Sequence, residues 1–179
     1  DFEFSFQPEL KKGEILELAS CRFLSKGDNV IFIGQPGTGK THLSIALGIK
    51  ALTLGYTVLF TSVHDMITTL QQSRADLTYQ KKLELYTKPD LLILDELGYK
   101  SMGETTVEDF FEIVSRRYEK KSTIITSNRE FAQWDKIFLD KTLTGAIIDR
   151  IIHHCHTFTI KGDSYRFKAR NTQQTQEST

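Results

Sequence analysis

Apolar residues along this chain form short unbroken runs that alternate with longer segments in which they recur every three to four positions. The unbroken runs predict five strands, at 29–34, 56–61, 90–96, 122–127 and 157–160. Runs of this kind are typical of strands buried on both faces of a parallel sheet. Strands that alternate with helices therefore predict an α/β domain, in which helices cover both faces of the sheet.

The segments with helical spacing lie before and between these strands. They predict helices at 8–26, 40–54, 62–73, 76–87, 101–120 and 142–154. Ser62 and Asp65 fit the two ends of a capping box, so the third helix should begin at this point. In the fifth helix Val107, Phe110 and Val114 form the apolar stripe, whereas Asp109 and its acidic neighbours lie off that stripe.

Composition narrows the possible functions only a little. At 179 residues the chain is long enough for one domain with a sizeable core. Its 23 basic and 23 acidic residues balance, so any DNA contact must come from local patches, from oligomerisation or from another part of the protein. Two cysteines without motif spacing fit the reducing cytoplasm, and no apolar run reaches membrane-spanning length.

A glycine-rich loop, GQPGTGKT at 34–41, joins the first predicted strand to the helix at 40–54. It fits the Walker A spacing of phosphate-binding loops at every required position. Glycine permits positive φ and close approach of backbone amides to an anion, and the following helix directs its positive end the same way. Lys40 would then lie against the β- and γ-phosphates, and the Thr41 hydroxyl would bind Mg²⁺. The alternative, a chance glycine-rich turn, is disfavoured by the strand before the loop and the helix after it.

Two consecutive acids, Asp95 and Glu96, end the predicted strand at 90–96. Open α/β sheets place their chemistry at the carboxyl ends of the strands. We expect Asp95 to hold Mg²⁺ through water and Glu96 to act as the general base for the attacking water. The acidic pair also distinguishes the chain from small GTPases, in which the aspartate is followed by two residues and a glycine.

Two further polar residues are candidates for the same chemistry. Asn128 follows the strand at 122–127, so it reaches the same sheet edge and can orient the lytic water; alternatively, it caps the next turn. Arg150 lies away from the centre of the apolar arc of the helix at 142–154, so it can reach outward. The alternative for Arg150 is a surface ion pair with Asp149 or another acid.

The remaining clusters are less specific. The two helices predicted at 62–73 and 76–87 carry, on them or directly after them, Arg74, Lys81, Lys82 and Lys88, which form either a solvated face or a patch for DNA phosphates. The run HHCH at 153–156 cannot direct four adjacent side chains at one tetrahedral ion. No second cluster in the sequence supplies ligands, so we expect no metal at this run.

In this order, the phosphate loop, the acidic pair, Asn128 and Arg150 make the chain resemble AAA+ ATPases of the initiator and helicase-loader clade, within the P-loop NTPases. Within that clade, it is identified as a member of the IstB-like transposition helper ATPases, which are related to DnaC. The resemblance rests on GQPGTGKTHL at 34–43, LLILDELGY at 91–99, Arg117–Tyr118, ITSN at 125–128, Trp134, IDRIIHH at 148–154 and GDSYR at 162–166. A Walker A motif alone predicts only that the chain binds a nucleotide. The LDELGY and GDSYR blocks are what distinguish this family from other nucleotide-binding proteins.

The resemblance implies an AAA+ core, with a parallel five-stranded sheet in the order 5-1-4-3-2, that uses ATP and Mg²⁺. The implied nucleotide-binding residues are Gly34, Pro36, Gly37, Thr38, Gly39, Lys40, Thr41, His42 and Arg166. Thr41 and Asp95 would hold the metal, and Glu96 would activate water. Asn128 corresponds to sensor 1. Arg166 resembles a sensor 2 arginine, but it follows a short strand instead of lying on a lid helix.

Two implied roles concern partners. Arg150 resembles the box VII arginine finger, which completes the ATP site of a neighbouring subunit. The helices at 63–87 occupy the place where this clade inserts its DNA-facing element, which favours Arg74, Lys81 and Lys82 as DNA-binding residues.

The function implied by the resemblance is ATP hydrolysis by a homo-oligomer on double-stranded DNA, which helps a transposase select or engage its target. Such a protein would act in the bacterial cytoplasm, in association with the nucleoid. A DnaC-like loader of a replicative helicase shares all the nucleotide residues and differs in its partner. A small-molecule P-loop kinase would need an acceptor pocket and an arginine-rich lid, and the sequence indicates neither. A binding module without hydrolysis is disfavoured by Lys40 and Glu96.

The predicted domain organisation is simple. Residues 1–168 form the ATPase domain, with 1–28 as a linker segment and helix, and the polar tail at 169–179 should be disordered. Phe2, Phe4 and Phe6 alternate with polar residues in an extended segment; they either pack in the core or line an adenine pocket. Relative to the family, we expect the small N-terminal domain ahead of the ATPase core to be absent.

Overall fold

The computed structural model describes residues 11–162 and Ser164. Its sheet contains β1 (Asn29–Gly34), β2 (Val58–Ser62), β3 (Leu91–Leu97), β4 (Ser122–Ser127) and β5 (Cys155–Ile160). All neighbouring strands are parallel, and their order across the sheet is β2-β3-β4-β1-β5. Read from the other edge, this is the predicted order 5-1-4-3-2, so the predicted AAA+ sheet is confirmed.

Helices connect the strands and cover both faces of the sheet. They are α1 (Lys12–Leu18), α2 (Arg22–Lys26), α3 (Lys40–Thr53), α4 (Val63–Ala75), α5 (Tyr79–Thr87), α6 (Glu104–Arg117) and α7 (Lys141–Ile152), with a 3₁₀ helix at Phe131–Lys136. No helix in the described part of the chain has the length and apolar character needed to cross a bilayer.

The interior strand β1, which lies between β4 and β5, shows how the sheet divides the core. Val30 and Phe32 pack with α1, α2 and α3 on one face. Ile31 and Ile33 pack with α4 to α7 on the other face. All four side chains are at least 95% buried, because successive residues of a strand point to opposite faces and both faces are covered.

Two elements differ from the sequence prediction. The helix expected at 8–26 is two helices, because the chain turns at Cys21, which has a φ of 58°. The run at 56–61 was expected to be a strand buried on both faces, but β2 lies at the edge of the sheet and Phe60 remains 43% exposed. The capping prediction is confirmed, since the Asp65 N–H donates to Ser62 Oγ at 3.0 Å and α4 begins one residue later.

Several predictions lie outside the described residues. These are the segment with Phe2, Phe4 and Phe6, the proposed sensor 2 residue Arg166, and the tail at 169–179.

Candidate nucleotide site

The glycine-rich loop lies between the end of β1 and the start of α3, at the carboxyl edge of the sheet. Gly37 and Gly39 have φ angles of 82° and 97°, in the left-handed region that side chains with a Cβ rarely adopt. A Cβ at Gly37 would also collide with Ser164, which lies directly against the loop. The chain therefore needs glycine here both for conformation and for close packing.

Lys40 and Thr38 fix the shape of the loop. Lys40 Nζ donates to the carbonyl oxygens of Gly34 at 2.7 Å and Gln35 at 2.9 Å. Thr38 is 1% exposed, and its hydroxyl donates to Gln35 O at 2.8 Å. The ammonium group thus lies inside the curve of the loop, as the Walker A prediction requires. Pro36 and His42, the other predicted contacts of this segment, are exposed.

The predicted metal residues, Thr41 and Asp95, are brought together across the sheet edge. Thr41 Oγ1 donates to the two carboxylate oxygens of Asp95 at 3.0 and 3.1 Å. Asp95 is 7% exposed, and its Oδ1 also accepts a hydrogen bond from Thr126 Oγ1 at 2.5 Å. A hydroxyl and a carboxylate at this separation form the hard oxygen donor set that Mg²⁺ prefers, so the residues present fit the implied ion.

Glu96 follows Asp95 at the same edge and is exposed. Its φ is 64°, which is uncommon for a residue with a side chain and is often found at functional sites. The pairing of β3 with β4 shifts register between Leu94 and Leu97, so this residue lies in a bulge. The bulge turns Glu96 away from the buried core, as a water-activating residue requires.

Asn128 directly follows β4, which lies between β1 and β3, and it is exposed at the edge that carries Asp95 and Glu96. The capping alternative lacks support, because the next helix begins after Glu130 and no side chain caps it. The predicted residues of the phosphate loop, the acidic pair and sensor 1 therefore occupy one edge of three adjacent strands.

Arg150 lies elsewhere. The neighbouring Ile151 carbonyl accepts a hydrogen bond at 3.1 Å from Asn29, the first residue of β1, whereas the phosphate loop follows the last residue of that strand. The six residues of β1 span about 20 Å at 3.3 Å per residue, so Arg150 is far from its own phosphate loop. Its guanidinium lies 4.9 Å from the centroid of the Phe111 ring and donates to Ala146 O at 3.0 Å. Within the described residues it has no acidic partner, contrary to the ion-pair alternative.

The three candidate DNA-binding residues differ in their surroundings. Arg74 pairs with Asp109 at 2.5 Å and its guanidinium lies 4.3 Å from the Tyr79 ring centroid. Asp109 is 1% exposed, although the helical pattern placed it off the apolar stripe. Burial and the hydrogen bond to Asp109 raise the pKa of Tyr79 to about 12. Arg74 thus has a partner inside the protein, whereas the residue Lys81 is exposed and Lys82 is half-buried on α5.

The histidine run at 153–156 also has an unexpected neighbour. Glu119 Oε1 lies 3.6 Å from His153 Nδ1 and 3.5 Å from His154 Nε2, and one ligand atom from each of the three residues lies within 4.8 Å of the others. A single neighbouring acid, and not a second cluster of ligands, thus lies within reach of two of the histidines, and the absence of a metal at this run stays a prediction. All three residues are exposed, and Tyr118 OH lies 2.7 Å from His153 Nδ1, so this nitrogen already has a hydrogen-bond partner.

Sequence reasoning missed two residues of the site, Thr126 and Ser164. Both belong to blocks that carry the family resemblance, ITSN and GDSYR, but their roles depend on contacts made after folding. Thr126 bonds to the acidic pair, and Ser164 packs on Gly37.

The chain is similar to known proteins over nearly all of its length. A family model described as IstB-like ATP binding protein matches residues 1–173. A protein named as an ATP-binding protein of insertion sequence IS21 from Pseudomonas aeruginosa is 44% identical over 167 residues, 93% of this chain and 63% of that protein. A corresponding protein of IS232 from Bacillus thuringiensis is 40% identical over 168 residues, 94% of this chain and 67% of that protein. The chain thus spans about two thirds of the length of these relatives.

Solved structures show the same fold. The DnaC helicase loader has a TM-score of 0.73 and 25% identity, with 83% of this chain and 86% of that chain covered. The replication initiator DnaA bound to AMPPCP and single-stranded DNA has a TM-score of 0.71 and 26% identity, with 98% of this chain and 56% of that chain covered.

The family model, the relatives and the strand order agree with the geometry of the phosphate loop and the acidic pair. The resemblance to IstB-like proteins inferred from the sequence is thereby confirmed, as is the likeness to initiators and helicase loaders. The chain belongs to the IstB-like ATP-binding proteins of insertion sequences and has the AAA+ fold.

Proposed function

We propose that this chain binds ATP with Mg²⁺ at the 34–41 loop and hydrolyses the ATP when it is assembled as a homo-oligomer on double-stranded DNA. In the bacterial cytoplasm, at the nucleoid, it would assist the transposase of its insertion sequence. The observation that carries the proposal is the contact between Thr41 and Asp95, at 3.0 and 3.1 Å, beside the loop that holds Lys40. This contact joins the phosphate loop to the acidic strand end.

The roles of the residues follow from their positions. The loop amides and the N-terminus of α3 would bind phosphate oxygens, with Gly34, Pro36, Thr38 and His42 shaping the loop and its margins. Lys40 would exchange its carbonyl partners for the β- and γ-phosphates, because charge-assisted bonds to phosphate are stronger. Thr41 and Asp95 would hold Mg²⁺, which when bound neutralises negative charge on the phosphate oxygens.

Glu96 would accept a proton from the attacking water, and Asn128 would orient that water. Glu96 fits this role because its side chain is exposed at the edge, directly beyond the carboxylate assigned to the metal. Asn128 reaches the same edge from the neighbouring strand and has both a donor and an acceptor to offer. Both residues are exposed at this edge, so both side chains can face the substrate.

Arg150 would complete the site of a neighbouring subunit. It cannot serve its own phosphate loop, because it lies near the start of β1 and the loop follows the end of that strand. To act in trans it must leave the Phe111 ring and the Ala146 carbonyl. An arginine finger typically contributes about 10³-fold or more in rate, so isolated subunits should hydrolyse ATP very slowly.

DNA and the transposase are the proposed partners. Support comes from the relatives, which are named as proteins of insertion sequences, and from the similar DnaA structure that holds single-stranded DNA. On this chain, Lys81 and Lys82 on α5 are the exposed or half-buried cations proposed to contact DNA phosphates. Arg74 would act mainly through Asp109 in positioning α4 on α6.

A helicase loader is the second candidate, because the DnaC loader covers 83% of this chain at a TM-score of 0.73. The nucleotide site would be the same in both cases, so the partner decides between them. Relatives named for insertion sequences favour the transposase. Pull-down with the transposase of the same insertion sequence, against the replicative helicase of the same cell, distinguishes the two functions.

The test of the nucleotide site uses two variants. Lys40→Ala should lose ATP binding in calorimetry, because the cation for the β- and γ-phosphates is removed. Glu96→Gln should bind ATP as the wild type does but lose turnover, since the amide has nearly the same shape and cannot accept the proton. Phosphate release is measured with DNA and without any added acceptor, which also separates the ATPase from a small-molecule kinase. Unchanged ATP affinity of Lys40→Ala, or wild-type turnover of Glu96→Gln, would contradict the proposal.

A further inference from the structure

The strand that carries the acidic pair has one irregularity. In the parallel pairing of β3 with β4, Leu94 lies opposite Ile125 and Leu97 lies opposite Ser127. Two residues, Asp95 and Glu96, therefore lie opposite the single residue Thr126. This is the arrangement of a β-bulge, which is rare between parallel strands and occurs more often beside active sites.

The Thr126 hydroxyl bonds to both residues of the bulge. It accepts the Glu96 backbone N–H at 2.9 Å and donates its own proton to Asp95 Oδ1 at 2.5 Å. Thr126 is 1% exposed, and its bond to Asp95 is buried, so water does not compete for that bond. Asp95 is held from the other side by Thr41, and the four residues form one chain of hydrogen bonds from the phosphate loop to Glu96.

The hydrogen bond from the Glu96 backbone N–H to Thr126 supports an unusual backbone conformation. Glu96 has a φ of 64°. This conformation is strained for a residue with a Cβ, and it persists only where the surrounding structure holds it. Its backbone N–H cannot join the regular ladder at the bulge, and an unpaired buried N–H is unfavourable. The Thr126 hydroxyl supplies the missing acceptor. Valine has nearly the same shape but could make neither bond.

We propose that Thr126 is a positioning residue of the ATPase: one hydroxyl sets both the carboxylate of the metal residue Asp95 and the backbone of the base Glu96. This inference rests on the proposed function of these two acids. Thr126 is 1% exposed and bonds to the two acids, so it would act through them and not by contacting nucleotide or metal. Its effect should therefore appear in how well Asp95 uses Mg²⁺ and how well Glu96 is placed, and not in the affinity of the loop for nucleotide alone.

The experiment compares Thr126→Val, which removes both hydrogen bonds, with Thr126→Ser, which keeps the hydroxyl. Thr123→Val is the matched control, because Thr123 is a buried threonine on the same strand whose hydroxyl accepts a bond from Arg117 Nε instead. ATP affinity is measured with and without Mg²⁺, and turnover is measured against Mg²⁺ concentration in the presence of DNA. Circular dichroism confirms that each variant is folded.

Thr126→Val should bind ATP without Mg²⁺ with an affinity within about twofold of the wild type; its turnover should fall, or the Mg²⁺ concentration it requires should rise, by about 10- to 100-fold, as is typical when the partner of a metal ligand is removed. Thr126→Ser should recover most of this loss, and Thr123→Val should show the Mg²⁺ dependence of the wild type. Wild-type Mg²⁺ dependence and turnover of Thr126→Val would overturn the inference, as would an equal loss in Thr126→Ser.

Failure of the proposed function would look different. If the wild type binds ATP with Mg²⁺ but never releases phosphate, hydrolysis is refuted, and the affinity ratio with and without Mg²⁺ still tests Thr126. If that affinity ratio changes in Thr126→Val and returns to the wild-type value in Thr126→Ser, the proposed positioning of Asp95 is supported even though no ATP is hydrolysed. If the ratio equals that of the wild type in all three variants, the inference about Thr126 is refuted.

Discussion

Arg117 is a buried cation near the start of the strand that carries the acidic pair, and its replacement by lysine should strongly destabilise the fold. The residue is 2% exposed at the end of α6. Its guanidinium donates to Thr123 Oγ1 at 3.1 Å and to the carbonyls of Tyr86 at 3.1 Å, Pro89 at 2.9 Å and Ser122 at 2.5 Å. It therefore connects the end of α5 to the starts of β3 and β4. Burial lowers its pKa to about 10, so it remains charged at neutral pH.

The magnitude follows from the bonds that lysine cannot make. A planar guanidinium reaches acceptors on several sides, whereas an ammonium offers three donors from one nitrogen at the end of a flexible stem. At least two of the four short bonds of Arg117 should be lost in Arg117→Lys. Hydrogen bonds to charged groups contribute about 1.5–3 kcal/mol each, so the loss of two should lower the free energy of unfolding by about 3–6 kcal/mol. For a chain of this size, that corresponds to a drop in Tm of about 6–24 °C.

Urea unfolding followed by circular dichroism measures this change, and the preceding residue provides the control. Arg116 is exposed and pairs with Glu112 one turn away on the helix surface, so Arg116→Lys should change the free energy of unfolding by less than about 0.5 kcal/mol. A free energy of unfolding for Arg117→Lys within the same 0.5 kcal/mol would refute the argument. It would mean that the carbonyls around the guanidinium are satisfied in some other way.

Two further predictions concern charged residues away from the nucleotide. Lys121 and the bonds from Thr57 lower the pKa of Asp90 from 3.8 to about 2, so this carboxylate stabilises the fold above about pH 4 and loses that effect as the pH falls from 4 to 2. The difference in unfolding free energy between the wild type and Asp90→Asn should shrink over this range in acid titrations; a constant difference would contradict the assignment. Charge reversal of Lys81 and Lys82 should weaken DNA binding and flatten its salt dependence, because fewer counterions are released. An unaltered salt slope would return both lysines to a solvated surface.

The sequence predicted the fold well because its main signals are local. The apolar runs located all five strands of the described sheet to within about two residues at each end, and the capping residue Ser62 was identified by its own sequence. The phosphate loop and the acidic pair were also predicted, because their residue types are fixed by the chemistry of phosphate and Mg²⁺. The break at Cys21 was missed, since it depends on how α1 and α2 pack against the sheet.

The residues that sequence reasoning missed or placed wrongly all depend on distant contacts. Asp109 looked like a surface acid, but α4 and α5 bring Arg74 and Tyr79 to it from 30 or more residues away. Thr126 carried no signal of its own, because its importance arises from a bulge in the neighbouring strand. Glu119 reaches His153 and His154 only because the end of α6 lies beside the end of α7.

The central claim is that the ATP site is completed between subunits, and a mixing experiment tests it most directly. Arg150→Ala keeps the phosphate loop but lacks the proposed finger, whereas Lys40→Ala keeps the proposed finger but lacks the cation of the loop. Each variant alone should hydrolyse ATP at about 10³-fold or more below the wild-type rate on DNA.

Mixed in equal amounts at concentrations that drive assembly, the two variants should regain measurable phosphate release, because Lys40→Ala subunits present Arg150 to the intact loops of Arg150→Ala subunits. Crosslinking or light scattering verifies that the variants assemble together. If they co-assemble and no activity returns, Arg150 does not act in trans, and the account of this chain as an oligomeric ATPase with shared sites is contradicted.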